Sequence, residues 1–135
     1  MKEKILIVDD EEIITKSLKE YLESRDFTVF VADKGDFAIE LIEKEKPDLI
    51  ILDLLLKGKL TGLDVLKEIK KILDKPKVIV LTGSTATEKE IKDLGVSYYL
   101  NKPITISKLF SIINEALGGN WLKRSINFLD KIIYN

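Results

Sequence analysis

The chain has 135 residues, 45% hydrophobic and 33% charged, with 22 basic and 23 acidic side chains and a formal net charge of −1. That length suits one domain with a real core, and the balanced charge offers no basic stripe for nucleic acid or a membrane surface. The absence of cysteine and histidine removes disulfides, thiolate nucleophiles, the usual zinc sites and histidine triads.

Carboxylates, hydroxyls, lysines and backbone groups remain, together with any hard cation they attract, such as Mg2+. No apolar run approaches the ~20 residues of a transmembrane helix. The start, Met1 to Ile5, is too short in apolar residues for a signal peptide, so a cytoplasmic setting is expected.

In chain order, Ile5-Leu6-Ile7-Val8 reads as a strand that runs into Asp9-Asp10-Glu11-Glu12. Ile13, Ile14, Ser17, Leu18, Tyr21 and Leu22 then recur at helical spacing. Negative charge favours a helix N-terminus, which accounts for Glu11 and Glu12 better than for Asp9 and Asp10. Phe27 to Ala32 is the second strand, and Asp36 to Glu45 the second helix. Leu49-Ile50-Ile51-Leu52, opened by Pro47-Asp48 and closed by Asp53, is an unbroken aliphatic run. Such runs form strands buried on both faces.

A loop with two glycines follows, and Leu63, Leu66, Ile69, Ile72 and Leu73 mark the third helix. Lys75-Pro76 breaks it. Lys77 to Leu81 is the fourth strand, ending in Thr82-Gly83-Ser84. A polar helix covers about Thr85 to Leu94. Val96 to Leu100 is the fifth strand, ending in Asn101-Lys102-Pro103, and Ile106 to Leu117 the fifth helix. Strands alternating with helices imply a doubly wound α/β fold, a parallel sheet with right-handed crossovers.

Four of the five strands carry polar groups at their carboxyl ends: Asp9 and Asp10, Asp53, Thr82 and Lys102. Singly, each has a plain reading: a cap for Asp53, a turn for Thr82, a solvated surface for Lys102. Together they lie on one rim. In the flavodoxin-like order 2-1-3-4-5, strands one and three flank the crevice where such sheets hold ligands. Crowded carboxylates repel, and a divalent cation relieves that repulsion. A carboxylate is also a competent nucleophile toward phosphorus. Charge on the transferred group is met by a metal, a lysine and a hydroxyl.

Ile7-Val8-Asp9-Asp10-Glu11, Leu52-Asp53, Gly62-Leu63-Asp64-Val65-Leu66, Leu81-Thr82-Gly83 and Lys102-Pro103 together resemble the receiver domain of two-component response regulators, including the single-domain chemotaxis type. The resemblance spans about Lys4 to Leu117. It implies that Asp53 accepts a phosphoryl group from a sensor histidine kinase or phosphotransfer protein. It implies Mg2+ held by Asp10, Asp53 and the backbone carbonyl of Leu55, with Asp9 helping through water. It further implies that Lys102 pairs with the phosphoryl group across a cis bond to Pro103. Thr82 moves toward that group, Tyr99 swings inward with it, and phosphorylation changes the face formed by helix four, strand five and helix five.

Lys57 stands where the family usually has proline, and Gly62 comes one residue late, so the loop is expected to be longer. Leu55 and Ser84 occupy the positions that tune dephosphorylation. Leu55 cannot orient water, so slow self-hydrolysis is expected. The domain is thus a non-enzymatic switch that catalyses its own modification.

Three other readings stand beside this one. A haloacid-dehalogenase-like phosphatase needs a second acid where Leu55 lies. A flavodoxin-like cofactor protein needs a phosphate loop where the acids lie. A degenerate receiver would act as a phosphorylation-independent interaction module. Residues 1–118 are expected to form the receiver domain and 119–135 a helical extension or the start of a linker. Leu122, Ile126, Leu129, Ile132 and Ile133 give that tail an amphipathic stripe. It can pack on its own domain or pair in a homodimer, for which the helix four–strand five–helix five face is the other candidate.

Overall fold

The computed structural model describes residues 2–83 and 88–118. Within them strands and helices alternate: β1 (Lys4–Val8), α1 (Glu12–Ser24), β2 (Thr28–Ala32), α2 (Gly35–Glu45), β3 (Leu49–Leu52), α3 (Gly62–Lys70), β4 (Lys77–Thr82), α4 (Glu88–Lys92), β5 (Tyr98–Asn101) and α5 (Ile106–Ala116). All neighbouring strands are parallel, in the order β2-β1-β3-β4-β5. This is the flavodoxin-like arrangement that the strand–helix alternation implied.

Because side chains alternate across a strand, a sheet covered on both sides needs apolar residues at every position. β3 meets that demand, with Leu49, Ile50, Ile51 and Leu52 all at most 2% exposed. Ile5, Ile7, Leu49 and Ile51 pack with Leu18 and Leu22 of α1 and with Leu109 and Ile113 of α5. Leu6, Val8, Ile50 and Leu52 pack with Ala38 and Ile42 of α2, Val65, Leu66 and Ile69 of α3, and Ile91 of α4.

The register sets the site. Val8 lies beside Leu52, so Asp9 and Asp53 leave adjacent strands at one level. Asp53 N donates to Val8 O at 2.9 Å and Asp9 N to Ala32 O at 3.1 Å, which carries the sheet's bonding one residue beyond the strands. The loop after β3 is held by the start of α3. Thr61 caps that helix reciprocally with Asp64, and Gly62 N donates to Leu54 O. A Cβ at Gly62 would stand 2.4 Å from Leu54 Cα and 2.5 Å from Asp53 O. Only glycine permits this approach.

Some boundaries differ from the sequence reading. α3 ends at Lys70, so Ile72 and Leu73 lie in the connection to β4, and Leu73 is fully exposed. The buried stripe of α1 is Thr15, Leu18 and Leu22, whereas Ile13 is 84% exposed. Thr82 and Asn101 are the last residues of their strands rather than residues following them. Ser84, the start expected for the fourth helix and the tail helix lie outside the described residues. No helix among the described residues is long and apolar enough to cross a membrane.

Candidate functional site

Four strand ends converge on Asp53, which is 4% exposed. Its Oδ1 accepts hydrogen bonds from Thr82 Oγ1 at 2.7 Å and from Leu55 N at 2.9 Å. Its Oδ2 accepts one from Lys102 Nζ at 2.9 Å. Thr82, at the end of β4, is wholly buried, and its hydroxyl already faces the carboxylate. Lys102 follows β5. Its N donates to Thr82 O at 3.0 Å, and its peptide bond to Pro103 is cis.

Lys102 Nζ also contacts Asp9 Oδ2 and Glu11 Oε1, each at 2.8 Å. Burial disfavours the ammonium, but hydrogen bonds to Asp9, Glu11 and Asp53 outweigh it and hold its pKa above the usual lysine range. Asp9 shows the opposite balance. Burial pushes its pKa up, and the hydrogen bonds from Lys102 and the Glu11 backbone only partly offset that. The Asp9 side chain is braced locally, because Glu11 N donates to its Oδ1 at 2.9 Å.

The donor set suits a hard divalent cation. Asp9, Glu11 and Asp53 each offer an oxygen, all within 4.8 Å of one another, and oxygen donors are what Mg2+ takes. Asp10 and Leu55 line the same cavity of about 400 Å³, with Asp53, Lys57 and Lys102. The Asp10 carboxylate accepts a hydrogen bond from Lys57 N at 3.1 Å, across the crevice between β1 and β3. All five strand-end residues named from the sequence therefore border one site.

Glu11 joins them, a contact that the sequence reading missed. Its position near the start of α1 had a sufficient local explanation, and nothing in the chain signalled an ion pair with a residue 91 positions away. Tyr99 is half-buried and packs against the core on the α2–α3–α4 side. Beside Lys102 lies a shallow apolar depression lined by Ile13, Ile14, Pro103, Ile104 and Ile106.

The response regulator receiver domain family matches residues 5–114, and the chain belongs to that family. It is 34% identical over 119 residues to Sporulation initiation phosphotransferase F of Bacillus subtilis (strain 168), covering 87% of this chain and 95% of that protein. It is also 34% identical over 129 residues to the Pyropia yezoensis protein named Probable transcriptional regulator ycf29. That match takes in 93% of this chain but only 58% of the relative's length. Among solved structures, a CheY-like receiver domain protein from Methanospirillum hungatei JF-1 matches with a TM-score of 0.82 at 28% identity, covering 91% and 99% of the two chains. The BeF3-activated receiver domain of Klebsiella pneumoniae RstA matches with a TM-score of 0.76 at 29% identity, covering 86% and 99%. This membership favours the receiver reading over the phosphatase and flavin-protein alternatives.

Proposed function

We propose that this chain is a phosphorylation-operated switch in which Asp53 is the phospho-acceptor. The observation that carries the reading is the setting of the Asp53 carboxylate between the Thr82 hydroxyl and the Lys102 ammonium, at the carboxyl end of β3. Oδ1 already accepts two hydrogen bonds, so it is pinned. Oδ2 has one partner, the Lys102 ammonium, which can pass to the incoming group, and is the oxygen that attacks. The new bond is Asp53 Oδ2 to phosphorus. The bond from phosphorus to a phosphohistidine nitrogen of the donor breaks, and the imidazole leaves with the electron pair.

Lys102 then transfers its contact from the carboxylate to a phosphoryl oxygen, and Thr82 donates to another. Mg2+, held by Asp10, Asp53 and the Leu55 carbonyl with Asp9 nearby, would neutralise charge on the transferred group. The donor is a sensor histidine kinase or phosphotransfer protein in the cytoplasm. The apolar depression beside Lys102 is suited to receive it, because a macromolecular donor must seat beside the acceptor. Contacts available only to the phosphorylated form shift the populations of the Thr82 loop, α4 and Tyr99, and so change the α4–β5–α5 face. Residues 1–118 make up the switch.

Leu55 offers no group to orient an attacking water, and its side chain stands 58% exposed at the rim. Self-hydrolysis is therefore slow, and a phosphoryl half-life of seconds in the purified protein would contradict this. The test of the whole reading is labelling with acetyl phosphate and Mg2+. The label should be released by hydroxylamine, as an acyl phosphate is, and chelator should prevent its uptake. Failure to label while Mg2+ binds would instead favour the phosphorylation-independent interaction module.

A further inference from the structure

At the edge of the sheet opposite Asp53, the α2–β3 and α3–β4 connections and the end of α5 enclose a groove. Its lining includes Ile42, Pro47, Ile72, Leu73, Pro76 and Leu117. The apolar pattern of α3 overruns its last helical residue, Lys70, and leaves Leu73 fully exposed. A single exposed leucine is ordinary on a protein surface, but Leu73 stands on the wall of this partly apolar groove.

The chain itself arrives at this groove. α5 runs back from the site edge, and its last residues, Ala116 and Leu117, form part of the groove wall. Gly118 follows with φ of +95°, the left-handed conformation that ends a helix and turns the chain. The segment that comes next, 120–135, carries Trp121, Leu122, Ile126, Leu129, Ile132 and Ile133 on one side of a helical projection. As a helix, its 16 residues would span about 24 Å, and Leu117, where the described chain approaches its end, lines the same groove as Leu73. The charges also complement each other. The segment has Lys123, Arg124 and Lys131 against one acid, Asp130, while the groove rim has Glu3, Glu43, Asp48 and Asp74 against three lysines.

We infer that residues 120–135 dock into this groove as an intramolecular helix, with Leu73 as the main apolar contact. A second copy of the chain is the competing occupant. The inference does not depend on phosphorylation and places the tail away from the acceptor site.

Trp121 is the chain's single tryptophan and reports on the segment directly. In the full-length native protein its emission should be blue-shifted relative to the urea-denatured chain and protected from acrylamide. Leu73→Glu, at a fully exposed position, leaves the fold intact by far-UV circular dichroism. It should shift the emission to the red and raise quenching toward the denatured value. Leu129→Glu, made from the other side of the contact, should do the same. Native emission that matches the denatured chain would overturn the inference. So would blue-shifted emission indifferent to Leu73→Glu, which places the segment elsewhere. Protection lost on dilution, with a matching fall in sedimentation rate, would assign the groove to a second copy and equally overturn it.

Discussion

Replacing Lys102 with methionine keeps the apolar stem but removes the ammonium that Asp9, Glu11 and Asp53 share at 2.8, 2.8 and 2.9 Å. The three contacts are not equal. The Glu11 side chain is 52% exposed, so its arm contributes about 0.2–1 kcal/mol, as solvent-screened pairs do. Asp9 and Asp53 are buried, with side chains 7% and 4% exposed. Stranding buried charges costs roughly 3–5 kcal/mol. Lys102→Met should therefore lose about 3–5 kcal/mol in EDTA, the range for buried charges left without their partner. Mg2+ in hundredfold excess over its Kd should return about 2.7 kcal/mol. Mg2+ should also bind the variant more tightly than wild type, because no ammonium competes for the carboxylates. Urea denaturation with and without Mg2+ measures both quantities. A variant as stable as wild type in EDTA would refute this view of Lys102 as the charge that holds the acids together. Equal Mg2+ binding and stabilisation of the two proteins would refute it too.

Gly62→Ala places a methyl group against the backbone of Asp53 and Leu54. It should cost at least about 1–3 kcal/mol by overpacking, and slow labelling of Asp53 by acetyl phosphate because the loop must shift. Unchanged stability and labelling would show that the loop gives way freely. The raised pKa of Asp9 makes a signed pH prediction in EDTA. Its folded pKa lies above the unfolded value, so the folded state holds the extra proton. Stability from this group is fully present below the ordinary carboxylate pKa and is lost as pH rises through the raised one. Asp9→Asn should therefore be more stable than wild type at pH 7, and its advantage should shrink as pH falls through that window. An advantage constant with pH would contradict the assignment.

The sequence made the sheet and four strand ends legible because those signals are local. The Leu49–Leu52 run can be buried on both faces only at the centre of a parallel sheet, and all four residues are. Asp53, Thr82 and Lys102 were legible as a set because parallel strands bring their carboxyl ends to one rim. Glu11 was not, because its contact with Lys102 depends on where the residues after β5 fall relative to α1. Ile13 and Ile14 also misled. Helical spacing marks an apolar stripe, but packing decides which end of it is covered, and the buried face begins at Thr15. The overrun at Leu73 arises because α3 ends at Lys70, whereas the apolar spacing runs on to Leu73 and the sequence signals a break only at Lys75-Pro76.

Intact mass after incubation with acetyl phosphate and Mg2+, on wild type and Asp53→Asn, tests the central claim most directly. A phosphoryl increment in wild type alone, absent with chelator, is the result that a phospho-acceptor at Asp53 requires. An increment that persists in Asp53→Asn would move the nucleophile elsewhere. No increment in a wild-type protein that binds Mg2+ would contradict the switch itself.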